Sequence, residues 1–75
     1  MYTDDEFKAK LSHSLRRERL ERGIDAIEVA KKMNLTKSAI SNYETGRNNM
    51  SAAAVKQYCE AIGTNISDFF SKYFG

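Results

Sequence analysis

Residues 26–47 constrain the fold of this 75-residue chain more than any other segment. Their apolar residues recur at helical spacing on both sides of Asn34, a residue type that tolerates the left-handed conformation of a tight turn. The second stretch begins after Thr36, a good N-cap, and places Ile40 and Tyr43 on one face. The segment therefore predicts two short helices, the second of which exposes small, polar or cationic side chains: Lys37, Ser38, Ser41 and Asn42.

The rest of the chain also favours helices. Proline is absent, and the four glycines stand at intervals typical of helix ends. A chain of this length has room for one domain with a modest core, which argues against a deep catalytic pocket. We expect a single all-α domain over residues 1–75, with the two-helix unit at about 26–45 and a C-terminal helix at about 67–74. Its five helices are predicted to begin at the caps Thr3, Asp25, Thr36, Ser51 and Ser67.

The distribution of charge along the chain is more informative about possible binding partners than the net charge of +2. Residues 7–47 carry an excess of five positive charges, whereas residues 1–6 carry three negative charges and residues 48–75 balance at zero. A basic excess confined to one segment is typical of a surface that binds phosphate. A well-solvated helical surface is the alternative interpretation, and charge alone does not separate the two.

Composition excludes several other classes of protein. The single cysteine, Cys59, cannot form an intramolecular disulfide, and with only one histidine, His13, the chain lacks a Cys/His metal site. Cys59 lies on an apolar stripe and is interpreted as a buried packing residue, and His13 as a solvent-facing one. No apolar run approaches the ~20 residues of a membrane span, and the acidic start is unlike a signal peptide. We expect a cytoplasmic protein without metal, cofactor or enzyme activity.

A combination of motifs over roughly residues 11–70 resembles the Cro/phage-repressor (XRE) family of helix-turn-helix regulators. The matching motifs are Leu15-x-x-x-Arg19, Gly23-Ile24, Val29-Ala30, the turn at Asn34, Ile40-Ser-x-Tyr-Glu-x-Gly-Arg47, Cys59-x-x-Ile62-Gly63 and the aromatic Phe69. The resemblance implies a compact five-helix, lambda-repressor-like DNA-binding domain. Its second short helix would lie in the major groove of double-stranded DNA.

The resemblance also implies roles for individual residues. Arg19 and Glu44 would form a partly buried ion pair that ties the first helix to the end of the third and has a structural role. Transferring the family's contacts position by position makes Lys37, Ser38 and Asn42 the candidate base readers, with Ser41 nearby on the same face. Lys37 could equally grip a phosphate, and both serines could be ordinary surface residues.

Contacts to the DNA backbone are expected on either side of the reading helix. Arg47, Asn48 and Asn49 resemble a clamp whose side chains and loop amides bond phosphate oxygens, and Thr36 is a further candidate. Related proteins usually have glutamine at the position of Ala26, where it bridges a phosphate and the recognition helix. Alanine cannot do so, and this anchor is therefore either missing or replaced by the local backbone amides. Long-range attraction is the most that we expect of Arg16, Lys31 and Lys32.

Four large rings crowd the end of the chain: Phe69, Phe70, Tyr73 and Phe74. Neighbouring residues of a helix point about 100° apart, so these rings cannot all face one core. Exposed apolar clusters mark interfaces, which predicts a homodimer built partly from this helix. The alternative is a monomer that buries all four rings.

Together these features predict a sequence-specific regulator that binds a pseudo-palindromic operator as a dimer and represses transcription. A phage repressor, a restriction–modification controller and an antitoxin all remain open, as does a protein partner such as a toxin or an antirepressor. The alternative function is a protein-interaction module of the same fold with weak or no DNA binding, which the alanine at position 26 supports.

Overall fold

The computed structural model describes residues 2–75; residue 1, which the predicted domain includes, lies outside this range. Residues 2–75 form five α-helices and no strand, which confirms the predicted all-α fold class. No helix in this part of the chain is long and apolar enough to cross a membrane. The helices are α1 (Asp4–Glu21), α2 (Ala26–Met33), α3 (Lys37–Glu44), α4 (Ala52–Ala61) and α5 (Ile66–Phe74).

Local side-chain chemistry sets the helix starts. Thr3 and Glu6 form a complete capping box, in which the Thr3 amide donates to Glu6 Oε1 (3.0 Å) and the Glu6 amide donates to Thr3 Oγ1 (3.2 Å). Asp25, Thr36 and Ser51 cap α2, α3 and α4 as predicted.

The cap of α5 differs from the prediction. Asn65 caps this helix by accepting a hydrogen bond from the Asp68 amide (2.9 Å), and Ser67 lies inside the first turn. The prediction of Ser67 was therefore wrong. Asparagine caps as well as serine does, and the Asn65 amide group also donates to the Asp68 carboxylate (3.0 Å).

The turn between α2 and α3 depends on Asn34. This residue adopts the left-handed conformation (φ 56°, ψ 43°), as the sequence predicted. The next amide, that of Leu35, donates back to the Ala30 carbonyl (2.8 Å), and Thr36 caps α3 immediately afterwards. The chain thus reverses within three residues, and the almost fully buried Ala30 lets the two helices pack closely.

All five helices contribute to one core. Its largest fully buried side chains are Leu15, Val29, Ile40, Tyr58, Cys59 and Phe69. Burial, more than any nearby charge, raises the pKa of the Cys59 thiol to about 11, so this thiol stays protonated at neutral pH. Cys59 is a packing residue, as predicted.

A polar cluster holds α5 against α1. Lys72 Nζ donates to Glu18 Oε1 (2.7 Å), Tyr73 donates to the same oxygen (2.8 Å), and Arg22 Nε donates to Glu18 Oε2 (2.7 Å). The hydrogen bond from Lys72, followed by those from Arg22 and Tyr73, lowers the pKa of Glu18 to about 2. The carboxylate therefore remains ionised well below neutral pH, and the charged anchor of α5 persists.

Candidate nucleic-acid interface

Helix α3 is held by one face and exposed on the other. Ile40 is fully buried and Glu44 is 5% exposed, whereas Lys37, Ser38 and Ser41 are exposed and Asn42 is half-buried. The first turn of α3 contains no acidic residue that would repel phosphate. The structure thus brings the four predicted base-reading side chains together on a single outward surface, which we call the reading face (Lys37, Ser38, Ser41 and Asn42).

A buried polar network fixes the end of α3. Arg19 Nε and Nη2 donate to the two carboxylate oxygens of Glu44 (2.8 and 3.0 Å), and Arg19 Nη1 donates to the Ile24 carbonyl (2.7 Å). Tyr58 on α4 also donates to Glu44. No buried side-chain nitrogen or oxygen within residues 2–75 lacks a partner. The network joins three helices and therefore sets the angle at which α3 projects.

The network changes the proton affinity of its members. Donation of hydrogen bonds to Glu44 is the largest effect on Arg19 and raises the pKa of its guanidinium above the ordinary value. Burial and then the bond to Glu44 raise the pKa of Tyr58 far above its usual range. Both shifts favour the protonated forms that donate to Glu44, which is consistent with a structural role for the network.

The loop after α3 is more closed than the sequence suggested. Arg47, Asn48 and Asn49 are all exposed, but the amides of Arg47 and Asn48 donate to the Asn42 carbonyl (2.9 and 3.3 Å). Those two amides are unavailable to phosphate, which corrects the expectation that the loop amides would take part. Gly46, at φ +77°, makes this close return of the backbone possible. The exposed side chains of the loop stay the predicted phosphate contacts.

Two further candidates flank the reading face. The Thr36 hydroxyl accepts the Ala39 amide (3.1 Å) and keeps its own proton free to donate. Ala26 is half-buried at the first position of α2, where its amide has no helical acceptor. The Asp25 carboxylate already occupies the next amide, that of Ile27 (3.2 Å), so α2 offers an incoming phosphate few backbone donors.

A groove of about 460 Å³ lies between α1, α2 and α3, next to the reading face. The sequence predicted no direct DNA contact on the α1 side of this groove. Residues at positions 13, 16 and 19 recur every three positions and so share one face of α1, which is the signal that could have identified it. The lining residues are His13, Arg16, Arg19, Ala26, Lys37, Ser41, Glu44 and Thr45.

The C-terminal rings divide into two groups. Phe69 is 2% exposed and belongs to the core, and Tyr73 is half-buried and bonded to Glu18. Neither ring offers much surface to a partner, so only Phe70 and Phe74 of the four predicted rings are left as candidates for a dimer contact. Phe70 and Phe74 instead join two side chains near the start of α1: Phe74 lies 5.1 Å from Phe7 and 6.0 Å from Tyr2 between ring centroids. We call these four rings the outer aromatic cluster (Tyr2, Phe7, Phe70 and Phe74).

Comparison with known proteins matches the sequence to the Helix-turn-helix family HTH_3 over residues 15–69. No curated protein matches it. One similar solved structure is that of the restriction–modification controller protein C.Esp1396I, a tetramer in complex with its natural 35-base-pair operator. Its sequence is 25% identical to this chain, and the two structures align with a TM-score of 0.80 over 87% of this chain and 86% of that one. The clp gene regulator ClgR from C. glutamicum is 24% identical with a TM-score of 0.79, over 88% of this chain and 85% of its own, and shows likeness of fold.

Proposed function

Because this chain belongs to the XRE-type helix-turn-helix family of DNA-binding transcription regulators, which are not enzymes, we propose that it binds a pseudo-palindromic operator as a dimer and represses the promoter it covers. The observation that carries this proposal is the reading face of α3, which is exposed while the opposite face is buried. A dimer bound across a promoter excludes polymerase by occupying the same DNA. Since its target is DNA, we place the protein in the cytoplasm.

We assign base recognition to the reading face. Lys37 can donate to guanine N7 and O6, and Asn42 can form a bidentate pair with adenine. Ser38 and Ser41 carry hydroxyls that bond either type of base. A helix that enters the major groove contacts base edges mainly with its N-terminal residues, which is where Lys37 and Ser38 stand.

We assign backbone contacts to the residues around the reading face. Exposed donors stand at both ends of α3. The side chains of Arg47, Asn48 and Asn49 follow the helix, and the Thr36 hydroxyl, with its free proton, precedes it. Such contacts set the register of a protein on DNA without reading its sequence. Ala26 contributes its backbone amide alone.

We propose that the outer aromatic cluster forms the dimer contact. Its four rings are exposed or half-buried, with Tyr2 at 47% and Phe7 at 38%, and they lie together where the start of the chain and α1 meet α5. The similar controller C.Esp1396I binds its operator as a tetramer, which supports assembly on DNA. A two-fold dimer would place two reading helices ~34–36 Å apart, one turn of DNA.

Substitution within the outer aromatic cluster tests the dimer. We expect Phe74→Ser to raise the dimer dissociation constant at least ~30-fold in sedimentation equilibrium, because aromatic anchors dominate interface energy. Leu20→Ser is the matched control, since Leu20 is 51% exposed elsewhere on α1. A wild-type protein that stays monomeric at high concentration, or an equal effect of the control, contradicts this interface.

Selection of bound fragments from a random DNA pool tests the function itself. We expect an inverted repeat whose half-site centres lie ~10–10.5 base pairs apart. Binding to it should weaken steeply with salt, since each of ~4–8 phosphate contacts contributes about −0.9 to the slope of log K against log salt. Adding the protein to a template whose promoter contains the repeat should reduce transcription. No enriched sequence and no salt dependence would instead support the protein-interaction module.

A further inference from the structure

We propose that Arg16 on α1 binds a DNA backbone phosphate at the groove beside Ala26, and so supplies a side-chain anchor that α2 itself lacks. The inference rests on the proposed DNA-binding function and adds a contact from a third helix. Its evidence is the position of the groove, the state of the Arg16 side chain and the balance of charge around it.

The groove faces the same DNA as the reading face does. Lys37 and Ser41 line it and also belong to the reading face, so a duplex held by α3 passes over its mouth. Ala26 contributes only a methyl group to the wall, which leaves the space of about 460 Å³ open. A backbone phosphate next to the recognised bases can therefore approach α1 there without a steric obstacle.

Among the residues that the structure describes, the Arg16 guanidinium has only a long ion-pair contact. Its side chain is 59% exposed, and its nearest carboxylate is Glu44, with an Nε–Oε1 distance of 3.9 Å. Glu44 is already satisfied, because both of its oxygens accept from Arg19 and one accepts from Tyr58. Within residues 2–75 the Arg16 guanidinium forms no hydrogen bond. The neighbouring Arg17 differs, since its Nε donates to Glu21 (3.3 Å).

The charge around the groove favours an anion. Three cationic side chains line it, those of Arg16, Arg19 and Lys37, against the single carboxylate of Glu44. Because Arg19 neutralises Glu44, the charges of Arg16 and Lys37 remain unbalanced at its rim. A guanidinium binds phosphate bidentately, so Arg16 is the better suited of the two to hold a backbone phosphate.

The experiment compares Arg16→Ala with Arg17→Ala in binding to the selected operator and to random duplex DNA, between 50 and 200 mM salt. We expect Arg16→Ala to reduce the steepness of the salt slope by about 1 and to weaken both affinities by the same factor, ~10-fold. Arg17→Ala should leave both quantities unchanged, because Arg17 points to Glu21. Both side chains are exposed, so thermal melting should show both variants folded.

A second variant tests whether Arg16 makes its contact in the groove. Ala26→Gln adds an amide donor to the same wall, so Arg16→Ala should cost less affinity in that background than in the wild type. Strictly additive effects would mean that Arg16 acts elsewhere and would overturn the inference. Equal slopes for Arg16→Ala and Arg17→Ala, in a protein that binds DNA, would overturn this inference alone. A wild type without salt-dependent DNA binding would overturn the proposed function as well.

Discussion

Replacing Arg19 with alanine is expected to lower the free energy of unfolding by about 3–5 kcal/mol, because it leaves the buried carboxylate of Glu44 without its ionic partner. The Ile24 carbonyl loses a donor at the same time. A domain of this length has a total stability of about 4–11 kcal/mol, so the variant loses a large part of it and should unfold at a much lower urea concentration. Urea denaturation followed by circular dichroism measures the change.

Two companion variants make this result interpretable. Arg17→Ala removes an exposed pair with Glu21, in which the side chains are 72% and 44% exposed, and should cost less than about 0.5 kcal/mol. Tyr58→Phe keeps the shape of the core but removes one bond to Glu44, and should cost about 1.5–3 kcal/mol in a protein that still folds. If Arg19→Ala cost no more than Arg17→Ala, the network would not be what fixes α3.

The second large effect concerns specificity. Changing both Lys37 and Asn42 to alanine is expected to reduce the ratio of operator affinity to random-DNA affinity by a factor between ~30 and ~10⁴, because each base contact discriminates by ~1–3 kcal/mol. Fluorescence anisotropy with the two duplexes measures this ratio. The fold should be unaffected, since Lys37 is exposed and the loop amides bond to the backbone carbonyl of Asn42 rather than to its side chain.

Arg47→Ala provides the contrast for this experiment. A phosphate contact carries no sequence information, so its loss should weaken operator and random binding alike and leave their ratio within about twofold of the wild type. If Arg47→Ala changed the ratio as much as the double variant did, base reading would not be confined to the reading face. If the double variant left the ratio unchanged, the proposed base readers would be wrong.

The features that depend on neighbours along the chain could be predicted from the sequence. Four helix starts are of this kind, because a cap needs only a side chain and an amide a few residues away. They are the starts at Thr3 (with Glu6), Asp25, Thr36 and Ser51. Asn34 makes the turn for an equally local reason, the tolerance of its residue type for positive φ. The all-α fold follows from these signals together with helical apolar spacing.

The features that depend on distant parts of the chain arise only when the helices pack together. Periodicity could not show which rings of α5 face the core. Only when α5 packs against α1 does it become clear that Phe69 is buried and that Phe74 is not. Nor could it show that Arg16 stands over an open groove, since that groove exists only where three helices meet. Packing brings such residues together across tens of positions, and no local preference of the chain specifies that meeting.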